Sequence, residues 1–491
     1  MKTSLGTYRH GSRLRLFRGL CFVILMQVII FDPGSATSMA AEAGSKPPPA
    51  SADEEDTARR LRELEDLVAS LQAEIERFRD SAGYSATTEE LERKIEALTL
   101  DIERLRIGKA AIPAAGNSTH GFGPAASKVY EIEQGVSIGG YGEMLYQNFD
   151  DRRDDGAASG GTDTLDSLRA VLYFGYKFNE RWLFNSEIEF EHAIAGDGQE
   201  GEVAVEFAYL DFKATDSFGA RGGLLLIPTG FLNELHEPPI FFGSRRPDVE
   251  RYIIPSTWRE NGAGVYGDVG SISYKAYIVA GLDALGFTPS GGIRGGRQGG
   301  SESAAEDLAV TARLDYSPVP GLLIGTSVFS GGVGQGRPGL ENAALTQWDA
   351  HAEWNWRGLH LRGLYAQNIV SDAAAIGLAI DAADPDMPPP GTTVIGERQV
   401  GWYGEAAWDV LSLSRGTDQE LSPFVRYESF DTQDQVAPGL MSDPANDRRV
   451  RTFGLHYKPI ANVAIKLDVQ NLSNGAATAI DQINVALGYL F

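Results

Sequence analysis

The sequence has almost no cysteine, since Cys21 is the one thiol among 491 residues. Cys21 lies in the apolar part of an N-terminal segment that we expect to be removed, so the mature chain would contain no thiol. This excludes disulfides, thiolate nucleophiles and cysteine-ligated metal sites from the mature protein.

Long apolar runs and basic residues are also scarce. After residue 40 no apolar run approaches the length of a transmembrane helix, so a membrane form would have to cross with strands. Acids outnumber bases by 67 to 43, which gives a net charge of −24. Because nucleic-acid binding needs clustered Lys and Arg, this balance argues against a nucleic-acid partner.

The N-terminus has the pattern of a secretory signal peptide. Basic residues precede an apolar run at 19–31, and small residues follow up to Ala40. The pattern predicts a signal peptide over residues 1–40. A membrane anchor is the alternative, but a run of about thirteen residues is too short for roughly 30 Å of hydrocarbon. Removing the segment would change the net charge from −24 to −28, because five basic residues and Asp32 would be lost.

Residues 41–130 divide into three predicted segments. Residues 41–50 contain three consecutive prolines and are predicted to be a flexible lead-in. Over 51–107 apolar residues recur every three or four positions, in two runs separated near Gly83. This spacing predicts helix, either a periplasmic coiled coil or a pair folded against itself or the following domain. Residues 108–130 are rich in Gly and Pro, have no period and are predicted to be a linker.

From Val136 onward the period changes to two, as expected of strands, and the predicted barrel domain covers residues 131–491. Trp348, Ala350 and Trp354, for example, alternate with Asp349 and His351. We count about sixteen strands, and the connections between them alternate between short and long. The strands are predicted to begin near residues 136, 166, 182, 202, 220, 261, 271, 307, 322, 346, 359, 399, 421, 449, 462 and 480.

This pattern predicts an all-β transmembrane barrel of about sixteen antiparallel strands, preceded by the helical segment. The alternative is a soluble β-sandwich, which also shows alternation. Strands of about nine to twelve residues suit a tilted crossing, Trp and Tyr lie near strand ends, and loop lengths alternate, which all favour the barrel. The final strand keeps its alternation to Phe491, which we interpret as a signal for assembly into the outer membrane.

The long segment 229–260 follows the fifth predicted strand and would be the third external loop of the barrel. Charges of both signs are dense in it, and opposed charges at a constriction determine pore selectivity. The alternative is an ordinary structured external loop. The predicted constriction residues are His236, Glu237, Arg245, Arg246, Glu250 and Arg251. Pro238 and Pro239 follow His236 directly, so a helical pair of metal ligands cannot form there and no metal site is predicted.

Charged residues also recur on the strand face predicted to line the lumen. Both signs are interspersed, so these residues would either produce a transverse field or pair along the wall. The predicted lumen residues are Arg169, Lys177, Glu187, Glu189, Glu191, Arg313, Asp349, Glu353, Arg362 and Arg426. No Ser, His and acid triad can be placed from spacing, so we predict neither enzymatic activity nor a cofactor. Residues 291–300, with Arg294 and Arg297, are predicted to be a mobile external loop whose bases either contact solutes or lipopolysaccharide or only keep the loop soluble.

Four segments of the barrel region resemble porins of the phosphate-selective porin superfamily. They are SIGGYGEMLYQNF at 137–149, FNSEIEFEHA at 184–193, GLLLIPTGFLNELHEPPIFFG at 223–243 and PFVRYESFDTQ at 423–433. The resemblance covers about residues 130–491 and implies a sixteen-stranded, commonly trimeric barrel for small anionic or polar solutes. The arginine and lysine ladder of the phosphate-specific members is not clearly repeated, although Arg245 and Arg246 offer two such positions.

We therefore predict a porin in the bacterial outer membrane, with its N-terminal segment in the periplasm, that passes small polar or charged solutes. One alternative is a structural envelope protein whose barrel anchors a periplasmic coiled coil, and another is an outer-membrane enzyme such as a lipase. The expected partners are outer-membrane lipid and lipopolysaccharide, the barrel assembly machinery, further copies of the chain in a homotrimer, and small solutes.

Overall fold

The computed structural model describes residues 120–491, apart from 197, 200, 216, 384–392, 414–416 and 418. Its sixteen strands form one closed antiparallel barrel in which each strand pairs with its neighbours in sequence and β16 pairs with β1. The predicted fold class and strand count are therefore confirmed. The predicted signal peptide, lead-in and helical segment at 1–107 lie outside the described residues.

The strands agree closely with those predicted from the alternation. They are β1 Gly135–Phe149, β2 Thr164–Lys177, β3 Trp182–Glu191, β4 Val203–Thr215, β5 Phe218–Leu226, β6 Arg259–Val269, β7 Ile272–Ala280, β8 Leu308–Tyr316, β9 Leu322–Gly332, β10 Ala344–Trp356, β11 Leu359–Val370, β12 Gly396–Trp408, β13 Glu420–Val436, β14 Asp447–Ile460, β15 Val463–Asn474 and β16 Gln482–Leu490. The helices are α1 Pro124–Glu131, α2 Val249–Tyr252 and α3 Ala373–Ala383, with 3-10 turns at Pro238–Ile240, Ala284–Gly286, Arg294–Gly296, Val410–Leu413 and Pro444–Asn446.

Side chains alternate between an outer and an inner face along each strand. In β10, Gln347, Asp349 and His351 are buried inside, whereas Ala350 and Trp354 are exposed outside. The outer face carries an apolar belt whose exposed residues include Leu172, Phe174, Leu210, Ile278, Leu314, Ile324, Val425, Phe453 and Val469. Such a belt is suited to lipid, and closure of the barrel leaves no unpaired strand edge in it.

The two ends of the barrel differ in their connections. At one end the strands are joined mainly by short turns such as 270–271, and at the other by long loops such as 281–307. We call these the short-turn end and the long-loop end. Exposed aromatic residues lie beside the short turns, as expected at a membrane interface. They include Phe178, Trp182, Phe218, Tyr316, Trp356 and Trp408.

Phe491 completes the closure of the barrel at the short-turn end. Its backbone N–H donates to Gly140 O at 2.9 Å, and Gly140 N–H donates to Phe491 O at 3.0 Å. Its part-exposed side chain lies beside Gly140. These contacts extend the β1–β16 pairing to the last residue, while the role of Phe491 as an assembly signal stays a prediction.

One segment differs from its sequence prediction. Residues 108–130 were expected to be a linker, but helix α1 begins at Pro124 and lies inside the barrel against β1, β2 and β3. Pro124 is compatible with the first turn of a helix, where its missing N–H is not needed. A helix of eight residues is too short to show a clear apolar stripe in the sequence. Its helical order depends on its contacts with the surrounding wall. No helix among the described residues is long and apolar enough to span a membrane.

The apolar belt predicts a depth-dependent penalty for outward charges. Val328 points outward near the middle of β9, and Leu308 points outward at the first residue of β8. Val328→Arg should lower the free energy of unfolding from lipid vesicles by about 2–4 kcal/mol, and Leu308→Arg by about 0–1 kcal/mol. Urea titrations in vesicles measure both values. Equal losses in the two variants would contradict the assignment of this face to lipid.

Candidate functional site

The connection between β5 and β6, residues 227–258, lies inside the barrel, and we call it the inner loop. Its apolar side chains are buried against the lumen wall and one another. These residues include Phe231, Leu232, Phe241, Val249, Ile253, Ile254 and Trp258. The segment predicted from sequence as a constriction therefore lies in the lumen, although Arg259 and Glu260 belong to β6 rather than to the loop.

Carboxylates of three distant strands hold the backbone of the inner loop. Gly230 N–H donates to Asp349 of β10 at 3.1 Å, and Ser244 N–H donates to Asp468 of β15 at 2.6 Å. Val249 N–H donates to Glu428 of β13 at 3.1 Å. Loop N–H groups inside a barrel need such acceptors, because an unpaired buried donor is costly. These inward acids therefore serve the loop.

Glu250 braces the inner loop from within. It is almost fully buried, and its carboxylate accepts hydrogen bonds from Phe231 N–H and Leu232 N–H, both at 2.7 Å. Its other oxygen accepts from the Tyr403 hydroxyl of β12 at 2.6 Å. Burial raises the pKa of Glu250, whereas these donors lower it. The brace ties the start of the loop to α2 and to the wall.

His236 and its neighbours are likewise fixed in place. His236 Nε2 lies 3.0 Å from Glu187 Oε1 on β3, and His236 Nδ1 lies 3.0 Å from Asn233 O. Arg246 donates to His236 O at 3.4 Å. Lys275 on β7 donates to Glu234 of the loop at 2.6 Å. The predicted constriction residue His236 thus contacts the predicted lumen residue Glu187 and is held by a second predicted constriction residue, Arg246.

Glu237 contacts a different element. Its carboxylate accepts from Ala125 N–H at 3.0 Å and from Ala126 N–H at 3.1 Å, which are the first free donors of α1. Burial raises the pKa of Glu237 to about 8, although these two backbone donors lower it. Glu237 therefore joins the inner loop to the helix that the sequence did not predict.

The predicted lumen arginines all pair with acids along the wall. Arg169 contacts Glu189 at 3.1 Å and Glu143 at 3.4 Å, and Arg362 contacts Glu353 at 2.7 Å. Arg426 contacts Glu405 at 3.1 Å and Glu428 at 2.8 Å, whereas Arg313 contacts Asp315 at 2.7 Å. Lys177 donates to Tyr130 O at 3.0 Å and Ile132 O at 2.5 Å, so it holds the N-terminal segment.

Arg246, Arg251, Arg294 and Arg297 lie together in the lumen, and none of them has an acidic partner within salt-bridge distance among the described residues. Arg294 donates to Ser256 O at 3.3 Å and Arg297 to Thr257 O at 3.2 Å, so backbone carbonyls of the inner loop position both. Burial and the charges of Arg297, Arg251 and Arg246 together lower the pKa of Arg294 to about 9. The cluster is therefore a positively charged surface of the lumen.

Arg294 and Arg297 of this cluster border a cavity of about 320 Å³ toward the long-loop end. Arg259 and a group of acids also line this cavity. The acids are Glu189, Glu191, Glu202 and Glu206. Glu206 pairs with Arg259 at 2.8 Å. A solute in the cavity would therefore meet charges of both signs.

Sequence reasoning missed two features of the lumen. Residues 291–300 were predicted to be a mobile external loop, but Arg294 and Arg297 pack on the inner loop, and a Gly-rich composition gives no sign of that packing. The pair of Arg221 and Asp211, at 2.9 Å, was also missed. Arg221 lies over the ring of Tyr266 at 4.1 Å, and its position inside the barrel was readable from the strand alternation.

Replacing Glu250 by Ala should loosen the inner loop without unfolding the barrel. Two N–H groups and one hydroxyl would lose their acceptor, at a cost of about 1–3 kcal/mol for each group left unsatisfied. We expect added protease to cleave the loop, while the barrel keeps its heat-modifiable migration on gels. Arg245→Ala is the control, because the Arg245 side chain only approaches Asp248, at 3.8 Å. Equal protease resistance of the two variants would contradict the role assigned to Glu250.

Comparison with known proteins places the chain beside one close relative. No family model matches it. Solved structures that it resembles include OmpF of Salmonella typhi in complex with daunomycin, at 12% identity and a TM-score of 0.48 over 73% of this chain and 98% of that chain. OmpTdeltaL8, a loop-deletion mutant of an outer membrane protein of Vibrio cholerae, has 13% identity and a TM-score of 0.45 over 72% and 99%. An uncharacterized protein of Aquifex aeolicus (strain VF5) is 42% identical over 368 residues, covering 74% of this chain and 82% of that protein. At that identity and coverage, the chain belongs to the same family as the Aquifex aeolicus protein.

Proposed function

We propose that the protein is a passive diffusion pore of the bacterial outer membrane that admits small polar and charged solutes. The support is the barrel: sixteen strands close without an edge, the outer face is apolar and the inner face is charged. A barrel of this strand number has room for an inward loop and a water-filled path. The even strand count leaves β1 and β16 with their free ends at the short-turn end, which we assign to the periplasm.

The inner loop is the proposed constriction. Because it is bonded to β10, β13 and β15, it reaches across the lumen from its attachment between β5 and β6. Solutes would pass on the side that the arginine cluster faces, where the cavity of about 320 Å³ lies. A homotrimer of such pores is part of the proposal, on the strength of the resemblance to phosphate-selective porins.

We further propose that small anions are preferred, phosphate among them. The single observation that carries this proposal is the cluster of Arg246, Arg251, Arg294 and Arg297, which lack an acidic partner among the described residues. A part-buried guanidinium without a counter-ion is unfavourable, and an anionic solute would supply one. The planar guanidinium also matches the oxygens of carboxylate and phosphate groups. The acids that also line the cavity would help to orient the solute.

Planar-bilayer recording in a salt gradient tests both parts of the proposal. The wild-type protein should form discrete channels whose reversal potential indicates anion preference. The double variant Arg294→Ala/Arg297→Ala should shift the reversal potential toward cations, because two uncompensated positive charges are lost from the path.

The matched control is Arg152→Ala/Arg153→Ala, which removes two exposed arginines from the external connection between β1 and β2. It should keep the wild-type reversal potential. An unchanged reversal potential in the Arg294 and Arg297 variant would contradict the anion path, and absence of channels from folded wild-type protein would contradict the pore itself.

A further inference from the structure

We propose that residues 120–131 form an internal plug, which closes one side of the lumen in the conformation described and leaves it as a unit to widen the pore. We call these residues the plug segment. The proposal rests on the pore function proposed above and adds its regulation. It is argued from the seat of the segment, its contacts and its link to the inner loop.

The wall provides a seat for the plug segment. Gly139 on β1 and Gly175 on β2 face the lumen where α1 passes. A Cβ at residue 139 would lie 2.9 Å from Ala125 O, and a Cβ at residue 175 would lie 2.7 Å from Val129 Cβ. Both contacts are closer than side chains normally allow, so only glycine at these positions lets the helix approach the sheet.

Apolar contacts fill the space between the plug segment and the wall. Ala125, Ala126 and Val129 are buried, and so is Phe122. The ring of Phe122 lies 5.6 Å from that of Phe207 on β4. If water filled this part of the lumen, these residues would be exposed rather than buried. On this side of the barrel the path is therefore occupied by protein.

Polar contacts hold the plug segment at both ends of α1. Asn185 of β3 donates to Ala126 O at 3.0 Å, and the Tyr130 hydroxyl donates to Asp211 of β4 at 2.9 Å. The two hydrogen bonds from Lys177 to the C-terminal carbonyls complete the set. Water can replace these hydrogen bonds. When the segment is displaced, the polar groups left on the wall can therefore form hydrogen bonds with water instead.

Glu237 couples the plug segment to the constriction. Its carboxylate accepts the two N–H groups at the start of α1, and its residue belongs to the inner loop. When α1 leaves, this nearly fully buried carboxylate loses both donors, which is unfavourable unless the loop also shifts toward water. Release of the plug segment is therefore expected to displace the inner loop as well.

The length of α1 favours two discrete states. The helix has eight residues, and isolated helices of this size are marginal in water. Its helical structure thus depends on the seat and would be lost on release. Seated and released forms differ by a whole set of contacts, which favours a two-state equilibrium over a continuous one.

The first test places a side chain in the seat. Gly175→Leu should displace the plug segment and give single channels of higher conductance than wild type in planar bilayers. Gly404→Leu is the matched control, because residue 404 faces outward from β12 with open space around the added side chain. It should leave the conductance unchanged.

The second test locks the segment. The cysteine pair Val129→Cys/Gly175→Cys should form a disulfide after a shift of about 1 Å between α1 and β2, because the two Cβ positions lie 2.7 Å apart and a disulfide needs about 3.5–4.5 Å. Cys21 is the sole native cysteine. We expect the oxidised protein to show only the lower conductance level, and a reductant to restore the higher one. Each single-cysteine variant should be insensitive to the reductant.

These outcomes separate the plug from the pore. Channels with the same conductance levels in the oxidised and reduced pair, or a folded Gly175→Leu protein that conducts like wild type, would overturn the plug and leave the pore standing. If Gly175→Leu does not fold, the disulfide recording decides alone. No channels in any variant or in wild type would instead count against the pore.

Discussion

The structure depends on one constraint: polypeptide placed inside a closed barrel must find hydrogen-bond partners for its backbone. The barrel strands use their own backbone groups on each other, so the inner loop relies on side chains of the wall. Asp349, Asp468 and Glu428 supply acceptors from three separate strands. Lys466 donates to Gly243 O at 3.0 Å, and Asn368 donates to Ile253 O at 2.9 Å. Both N–H and carbonyl groups of the loop backbone are thus hydrogen-bonded to side chains of the wall.

This constraint changes the meaning of the charges in the lumen. A row of inward acids and bases suggests a strong field along a pore, but pairs such as Arg362 and Glu353 neutralise each other, and Glu428 also serves the loop. The charged groups that remain available to a solute are those that have no ion-pair partner and still have free hydrogen-bonding capacity. The clustered arginines belong to that set although the net charge of the protein is −24, so overall composition does not indicate the local preference.

The fold was predictable from the sequence to a large extent, because strand alternation and loop lengths are local properties. The predicted starts of β3, β9 and β11 coincide with the structure, and the inward segment after β5 was identified by its length and charge. The partners were not predictable, since Ser244 and Asp468 are separated by 224 positions and no local pattern joins them. Helix α1 was not predicted for the same reason, because it depends on tertiary contacts with Gly139 and Gly175.

Hydrogen–deuterium exchange of the folded protein in lipid tests the central claim most directly, because it follows the bonded amides without mutation. The amides of Gly230, Phe231, Leu232, Ser244 and Val249 should exchange as slowly as those of neighbouring strands, since each donates to a buried carboxylate. The external connection at 150–163 should exchange much faster. Exchange of the inner-loop amides at the rate of that external connection would contradict the claim that the wall holds the loop.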